Sequence, residues 1–340
     1  MKNQKTKNTL SLVFLYLSFL LLFLGCDNSL QITYNHNPVS ADNLMPQATQ
    51  IIQQALADEN PRIRANAIEV AAETQQIKLI PKIEKLLKDE SAPVRFIAAL
   101  AIGDLEYSLA EEQVKQLLKD KDENVRISAT YALIKLGFHN NLEPLQKAIT
   151  NNDQTIRANA ALLLGKAGDK NALKFLYWAL RHRNSDDKVR FNATEAIARL
   201  GDERVYPKLW TMLISAYHDD RVFGVGAMGA LGTAKAKDAL VTMLDDDVLE
   251  VRLAAAEQLG SLKETVGELK VLDVFTKNLI AGTDREGAER IKVWTSLAIG
   301  QIGTVSLTKF LPQLLKDESK FVRIAAAKAV FQYANRKLTP

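Results

Sequence analysis

A single cysteine, Cys26, stands in 340 residues. One thiol cannot form an intrachain disulfide, so stability has to come from a packed core. Histidine is nearly as sparse. His36, His139, His182 and His218 are scattered, with no Cys/His zinc spacing, no HExxH and no His-Glu dipeptide. No Gly-rich phosphate loop is present, and Asp245-Asp246-Asp247 lacks the spaced oxygens of a calcium loop. These absences point away from a metal, a cofactor and an enzyme. An excess of one charge is missing too: 44 Lys and Arg face 40 Asp and Glu, for a net +4. Loss of Lys2, Lys5 and Lys7 with a leader would bring that to +1. A near-neutral chain lacks the global field that nucleic-acid binding draws on.

One long apolar run exists, from Leu10 to Leu24, broken by Ser11 and Ser18 and preceded by the three lysines. Its length falls short of the ~20 residues that span a bilayer and suits the apolar region of an export signal. Residues 1–25 are therefore predicted to be a signal peptide. Cys26 follows Leu22-Phe23-Leu24-Gly25, a stretch that resembles the lipobox of bacterial lipoproteins. That resemblance implies cleavage before Cys26, lipidation of its thiol and attachment to a membrane of the bacterial cell envelope. Asp27 favours the periplasmic side of an inner membrane. Residues 26–45, with Asn28, Asn35, Asn37 and Pro38, read as a tether.

Beyond the tether the chain repeats itself. A Val/Ile-Arg pair followed by small residues gives the column Arg64, Arg95, Arg126, Arg157, Arg190, a lapse at Phe223, then Arg252, Lys292 and Arg323. The spacings are 31, 31, 31, 33, 33, 29, 40 and 31. Counting the Val/Ile as offset 0, offset +4 is Ala67, Ala98, Ala129, Ala160, Ala193, Gly226, Ala255, Thr295 and Ala326. Offsets 0, 4, 8 and 11 share one helix face, and a small +4 column lets helices approach closely. A second apolar set, such as Ile83, Leu86 and Leu87, marks a partner helix packed antiparallel on the first. Asn60, Ser91, Asp122, Asp153, Asp186, Asp219 and Ser319 stand at offset −3 as N-caps. Gly137, Gly168, Gly201 and Gly303 stand at +12, where a helix end needs a left-handed residue. The period predicts an all-α, right-handed α-solenoid of about nine helix pairs over residues 46–336. Stacked at ~8–10 Å per helix layer, such a spine would run 80–90 Å.

Asp122-Glu123-Asn124-Val125-Arg126 with Ala129, Ala132, Leu133, Leu136 and Gly137 resembles the HEAT repeat. The ~31-residue variety found in phycobilin lyases is the nearest in length. The resemblance implies that the Arg column (Arg64, Arg95, Arg126, Arg157, Arg190, Arg252, Arg323) is structural, pairing with loop carboxylates. Asp58, Asp89, Asp120, Asp246 and Asp317 recur at offset −5 for that role. Absence of His-Glu dipeptides separates the chain from the di-iron HEAT-repeat hydroxylases.

Offsets −1, +3, +6 and +10 are mixed in character and are predicted to line the concave side. They carry Glu69, Glu73 and Asp104, then a basic middle of Lys135, Lys166, Lys188, Arg199 and Arg221. Apolar Ile97, Leu100, Tyr131, Leu162, Val225, Met228, Trp294 and Leu297 sit among them. An open groove of this kind suits a protein partner with an acidic segment. A lyase-like or chaperone-like protein holding a small ligand is the alternative, and a nucleic-acid-binding HEAT protein a weaker one. A second patch, Tyr177, Trp178 and Trp210, places aromatics where equivalent positions are polar. Residues 281–290 read as an exposed insertion loop.

Overall fold

The computed structural model describes residues 40–138 and 142–338. Cys26, His36, His139, the signal peptide and most of the tether lie outside them. Two rows of helices alternate along the chain. The inner row is α2 (Pro61–Glu73), α4 (Ala92–Asp104), α6 (Glu123–Lys135), α8 (Gln154–Ala167), α10 (Asp187–Arg199), α12 (His218–Leu231), α14 (Leu249–Ser261), α16 (Arg285–Ile302) and α19 (Lys320–Leu338). The outer row is α1 (Ala41–Ala55), α3 (Ile80–Leu86), α5 (Glu111–Leu117), α7 (Glu143–Ala148), α9 (Leu173–Arg181), α11 (Tyr206–Leu213), α13 (Ala234–Thr242) and α15 (Glu268–Thr276), with the short α17 (Val305–Thr308) and α18 (Leu311–Leu314). No strand occurs among the described residues, so the chain is an all-α repeat solenoid.

Local chemistry sets the start of several inner helices. Asn60, Asp122, Asp153 and Asp186 accept a hydrogen bond from the first-turn backbone, satisfying an N–H that helix geometry leaves open. Pro61 occupies the first position of α2. Gly168 and Gly303 close α8 and α16 at φ of 80° and 69°. Close packing follows from the small residues. A Cβ added to Gly165 would lie 2.6 Å from Ala196 Cβ, so α8 and α10 meet almost backbone to backbone.

The arginines tie successive repeats together. Arg64, Arg95, Arg126, Arg252 and Arg323 reach back to carbonyls five and six residues upstream: Arg95 Nη1 donates to Asp89 O at 2.7 Å and Glu90 O at 3.0 Å. Several also reach forward 25 residues. Arg64 grips both oxygens of Asp89 (2.8 and 2.7 Å), and Arg95 those of Asp120 (2.8 and 2.9 Å). Lys292 does the same to Asp317 at 2.7 Å. The aspartate is already committed to its own turn, accepting from the backbone N–H two residues on, as Asp120 does from Asp122. A planar guanidinium against a carboxylate suits such a bidentate rung.

The structure corrects the register of the sixth repeat. Arg221 donates to Ser215 O, six residues upstream, and to Asp246 Oδ1 at 2.9 Å, 25 residues downstream. It is therefore the missing rung, and there is no lapse at Phe223. Spacings of 31 to Arg190 and 31 to Arg252 agree. Gly232, at φ 62°, then closes α12 at +12. Asp219 lies inside the first turn rather than at the cap, which is Tyr217.

Two boundaries also move. The first helix begins at Ala41, not near Pro46, because Leu44, Ala48, Ile52 and Ala55 form one buried stripe running through the proline. Residues from Arg285 onward extend α16 instead of forming a loop, capped by Asp284, whose Oδ1 accepts from Gly287 N–H at 2.7 Å. The largest correction concerns shape. The stack does not run out to an 80–90 Å spine, because its ends meet. Helix α1 packs along α19, and α2 touches α19 as well. Lys320 Nζ lies 2.5 Å from Asp58 Oδ2, and Lys328 Nζ 2.5 Å from Glu73 Oε2. Asp58 is the first acceptor of the ladder, and it is filled from the last repeat. Nine inner helices thus form a closed ring among the described residues.

Candidate functional site: the lumen and the outer cleft

Closure turns the concave face into a lumen of about 380 Å³. Offset +6 supplies seven of its lining residues: Glu69, Leu100, Leu162, Glu195, Glu257, Leu297 and Lys328. Its apolar lining comes from Ile97, Leu100, Leu162, Trp294, Leu297, Phe321 and Ile324. Among them stand Glu69, Glu73, Asp104, Glu195 and Glu257 with Lys166, Arg199 and Lys328.

Three ion pairs organise the charges. Lys166 meets Asp104 at 2.9 Å, Arg199 meets Glu195 at 2.6 Å, and Lys328 meets Glu73 at 2.5 Å. Tyr131 donates to Asp104 at 2.5 Å. Glu257 accepts from the Gln258 amide but meets no cation, and Glu69 meets none either. Enclosure lifts the Glu69 carboxyl to about 8; Glu73 adds repulsion, while Lys328 and Lys166 pull it down. Burial raises Glu257 as well. Enclosure works the same way on Glu73, yet Lys328 holds it below the usual carboxylate range. Burial opposes the charge on Lys328, but Glu73, Glu257 and Glu69 keep its ammonium above its ordinary value.

The residues expected along an open groove are therefore redistributed. Ile97, Leu100, Leu162 and Trp294 are all less than 9% exposed and line the lumen, and Tyr131 is buried on Asp104, so none of them is a free anchor. Met228 and Val225 are wholly buried core residues, a consequence of the register shift in α12. Arg221 belongs to the ladder. The basic middle is neutralised: Lys135 pairs with Glu106 at 3.3 Å, Lys166 with Asp104 and Arg199 with Glu195. Lys188 is buried in the first turn of α10, where burial depresses its ammonium. Glu195, Glu257 and Lys328 were missed from the sequence, although they share offset +6 with Glu69.

A second site lies outside, opposite the closure. Following the inner row, α10 stands four helices from α2 and four from α19. The cleft between α9 and α11 that flanks it encloses about 420 Å³ and is lined by Tyr177, Leu180, Arg181, Arg190, Arg204, Val205, Pro207 and Lys208. Four of those side chains are cationic and none is a carboxylate. The guanidinium groups of Arg181 and Arg204 lie over the Tyr177 ring, 5.0 and 5.4 Å from its centre. Burial raises the Tyr177 hydroxyl, with Asp202 adding to it. Trp178 and Trp210, on the same two outer helices, remain 38% and 40% exposed. Tyr177 alone of the expected aromatic patch lines this cleft; Trp178 instead stacks on His182 at 4.4 Å.

No group of three or more His, Cys, Asp or Glu among the described residues is placed to hold a metal, and none of their helices is long and apolar enough to cross a membrane.

In comparisons with known proteins, the family model for HEAT repeats matches residues 48–134, 80–154 and 142–225. No curated protein matches the chain in sequence. Among solved structures, human deoxyhypusine hydroxylase in complex with glycerol is similar at 16% identity and a TM-score of 0.36, covering 86% of this chain and 99% of that one. The complex of CpcE and CpcF of phycocyanin lyase from Nostoc sp. is similar at 17% identity and a TM-score of 0.33, covering 92% and 99%. Kap121p bound to Nup53p is similar at 15% identity and a TM-score of 0.33, covering 85% of this chain and 37% of that one.

Proposed function

The chain belongs to the HEAT-repeat family, and from that premise we propose that it is a non-catalytic interaction scaffold of the bacterial cell envelope, tethered to a membrane through a lipidated Cys26. Its partner is a protein with an acidic segment, taken on the outer surface instead of along a concave groove. One observation carries this reading: the α9–α11 cleft gathers Arg181, Arg190, Arg204 and Lys208 with no carboxylate in its lining, and although Asp202 holds Arg204 and Asp187 reaches Arg190, Arg181 and Lys208 have no carboxylate partner among the described residues, on the two helices that also carry the half-exposed Trp178 and Trp210. Such a surface steers an acidic chain by charge and holds it by aromatic contact. The tether enters at α1, on the closure, and the cleft is half a ring away. It would therefore face off the membrane, toward the envelope space.

The test is quantitative affinity capture from envelope extracts, comparing R181E/K208E and W178A/W210A with the unaltered chain. Loss of the same partner in both variants, and weaker capture as salt rises, is the expected result. Equal recovery in all three would remove the cleft from the account. For the anchor, C26S should release the chain from the membrane fraction; retention of that variant in the membrane would contradict lipid tethering.

A further inference from the structure

Resting on the lipid tether at Cys26 proposed above, we infer that the folded ring itself docks on the lipid surface, through the edge where inner helices hand over to outer ones. Among the described residues twelve large apolar side chains are exposed, and six stand on that edge: Ile77, Leu109, Phe138, Val266, Leu269 and Val305, 48–76% exposed. The first four lie in the turns after α2, α4, α6 and α14, Leu269 in the first turn of α15, and Val305 opens α17. Inner and outer helices run antiparallel, so these turns share one edge, while the aspartate ladder, whose turns precede the inner helices, takes the other. The remaining six are split between the ladder edge and the outer face. Followed across the closure, the apolar turns form one crescent, from α14 through α16, α19 and α2 to α6. On the rest of the same edge, the turns after α8, α10 and α12 carry Asp169 and Lys170, Glu203 and Arg204, and Lys235 instead. Apolar residues gathered in this way and rimmed by charge mark a contact surface.

Two observations assign lipid to it. Helix α1 ends at the ladder turn of Asp58, so its start at Ala41, fifteen residues and ~22 Å away, opens on the apolar edge within the crescent. The fourteen residues between Cys26 and Ala41 reach at most ~50 Å, so an anchor at Cys26 holds this edge next to the bilayer. Charge agrees. Carboxylates along the crescent are taken: Glu106 by Lys135 at 3.3 Å, Glu264 by Lys237 at 2.9 Å, Glu111 and Glu112 by Lys115, and Glu268 by the Ser306 hydroxyl. Lys78 and Lys263 are exposed there with no carboxylate partner among the described residues, free to meet lipid phosphates. The charged sector of the edge, and the α9–α11 cleft with it, then tilts away from the membrane.

The experiment uses the lipidated chain carrying L269C or, on the ladder edge, E90C, each labelled with an environment-sensitive fluorophore and reconstituted into phosphatidylethanolamine–phosphatidylglycerol vesicles. Lipidation consumes the Cys26 thiol, so each variant offers one labelling site. The L269C label should shift to the blue and be quenched by lipids bearing a nitroxide high in the acyl chain, and the E90C label should do neither. I77S/L109S/V305S alters exposed positions only, so its melting curve should not move, yet it should abolish most of the quenching at L269C while the chain still floats with the vesicles. Equal signals from the two edges, or quenching untouched by the triple substitution, would overturn edge docking and leave the tether standing. A blue shift at L269C without lipid quenching would put a second copy of the chain on this edge and overturn the membrane assignment. A chain that does not float with the vesicles would remove tether and docking together.

Discussion

Two arginines whose sequence contexts point one way behave the other way in the structure, and substituting both gives a sharp test. Arg190 falls in the Val-Arg column, whereas Arg221 is preceded by Asp220 and falls outside it. In the ring, Arg221 has a side chain 11% exposed and an Asp246 partner 7% exposed, with Nε 2.8 Å from Asp246 Oδ2 and Nη2 2.6 Å from Asp247. Its Nη1 satisfies the Ser215 carbonyl at 3.0 Å. Arg190 is 34% exposed, and its carboxylate contact is 3.5 Å to Asp187, itself 75% exposed. Removing one partner of a buried, hydrogen-bonded pair costs about 3–5 kcal/mol, because the remaining charge is stranded. An exposed pair contributes about 0–1 kcal/mol. R221A should therefore destabilise the chain by roughly 3–5 kcal/mol and R190A by less than about 1 kcal/mol. Urea denaturation followed by circular dichroism measures both. Equal losses in the two variants, or a negligible loss in R221A, would refute the register assigned to the sixth repeat.

Three further outcomes follow from individual side chains. The folded-state carboxyl of Glu69, raised from an ordinary 4.5 to about 8, contributes stability below the unfolded value that is lost as pH climbs through this window. The urea midpoint of E69Q should thus gain on the unaltered chain between pH 5 and pH 9; parallel midpoints would show that Glu69 is not held up by the lumen. Asp120 is shifted the other way, its carboxyl held low chiefly by the Arg95 hydrogen bond against burial. Its stabilisation is present above the ordinary value of 3.8 and lost as pH falls through the lowered one, so D120N should flatten the acid limb of a stability–pH curve. G165A should cost about 1–3 kcal/mol by overpacking, since its Cβ would lie 2.7 Å from the Ala196 Cα; a thermal melt that does not move would mean α8 and α10 are further apart.

Much of the architecture was legible because it is local. Caps such as Asp153, terminators such as Gly168, and the small column at Ala98 and Ala129 each act within one or two turns, and all agree with the 31-residue period. The sixth repeat misled because Val222 imitates the Val/Ile of the Val-Arg pair, while Arg221 is preceded by Asp220. Gly232 and the even spacing of Arg190, Arg221 and Arg252 were the signals that fixed it. Closure was not legible. It is the sum of small rotations between neighbouring helices, and no residue encodes that sum. One trace existed: Asp58 repeats the acceptor position of Asp89 although no repeat precedes it, and its donor proved to be Lys320. The inner face was assigned to the right offsets, yet its character depended on closure. Trp294, Leu162 and Lys166 would be free surface on an open stack and are interior lining in a ring.

Closure of the ring can be measured by placing spin labels at Glu59 and Glu318, both exposed, in the full chain carrying C26S, with Glu59 and Glu90 labelled as a one-repeat reference. If α1 and α2 pack on α19, the first pair should give one narrow short distance close to the reference, as for helices about 10 Å apart. A broad distribution, or a distance of ~65–80 Å as eight open helix steps would produce, would contradict the ring and with it the lumen.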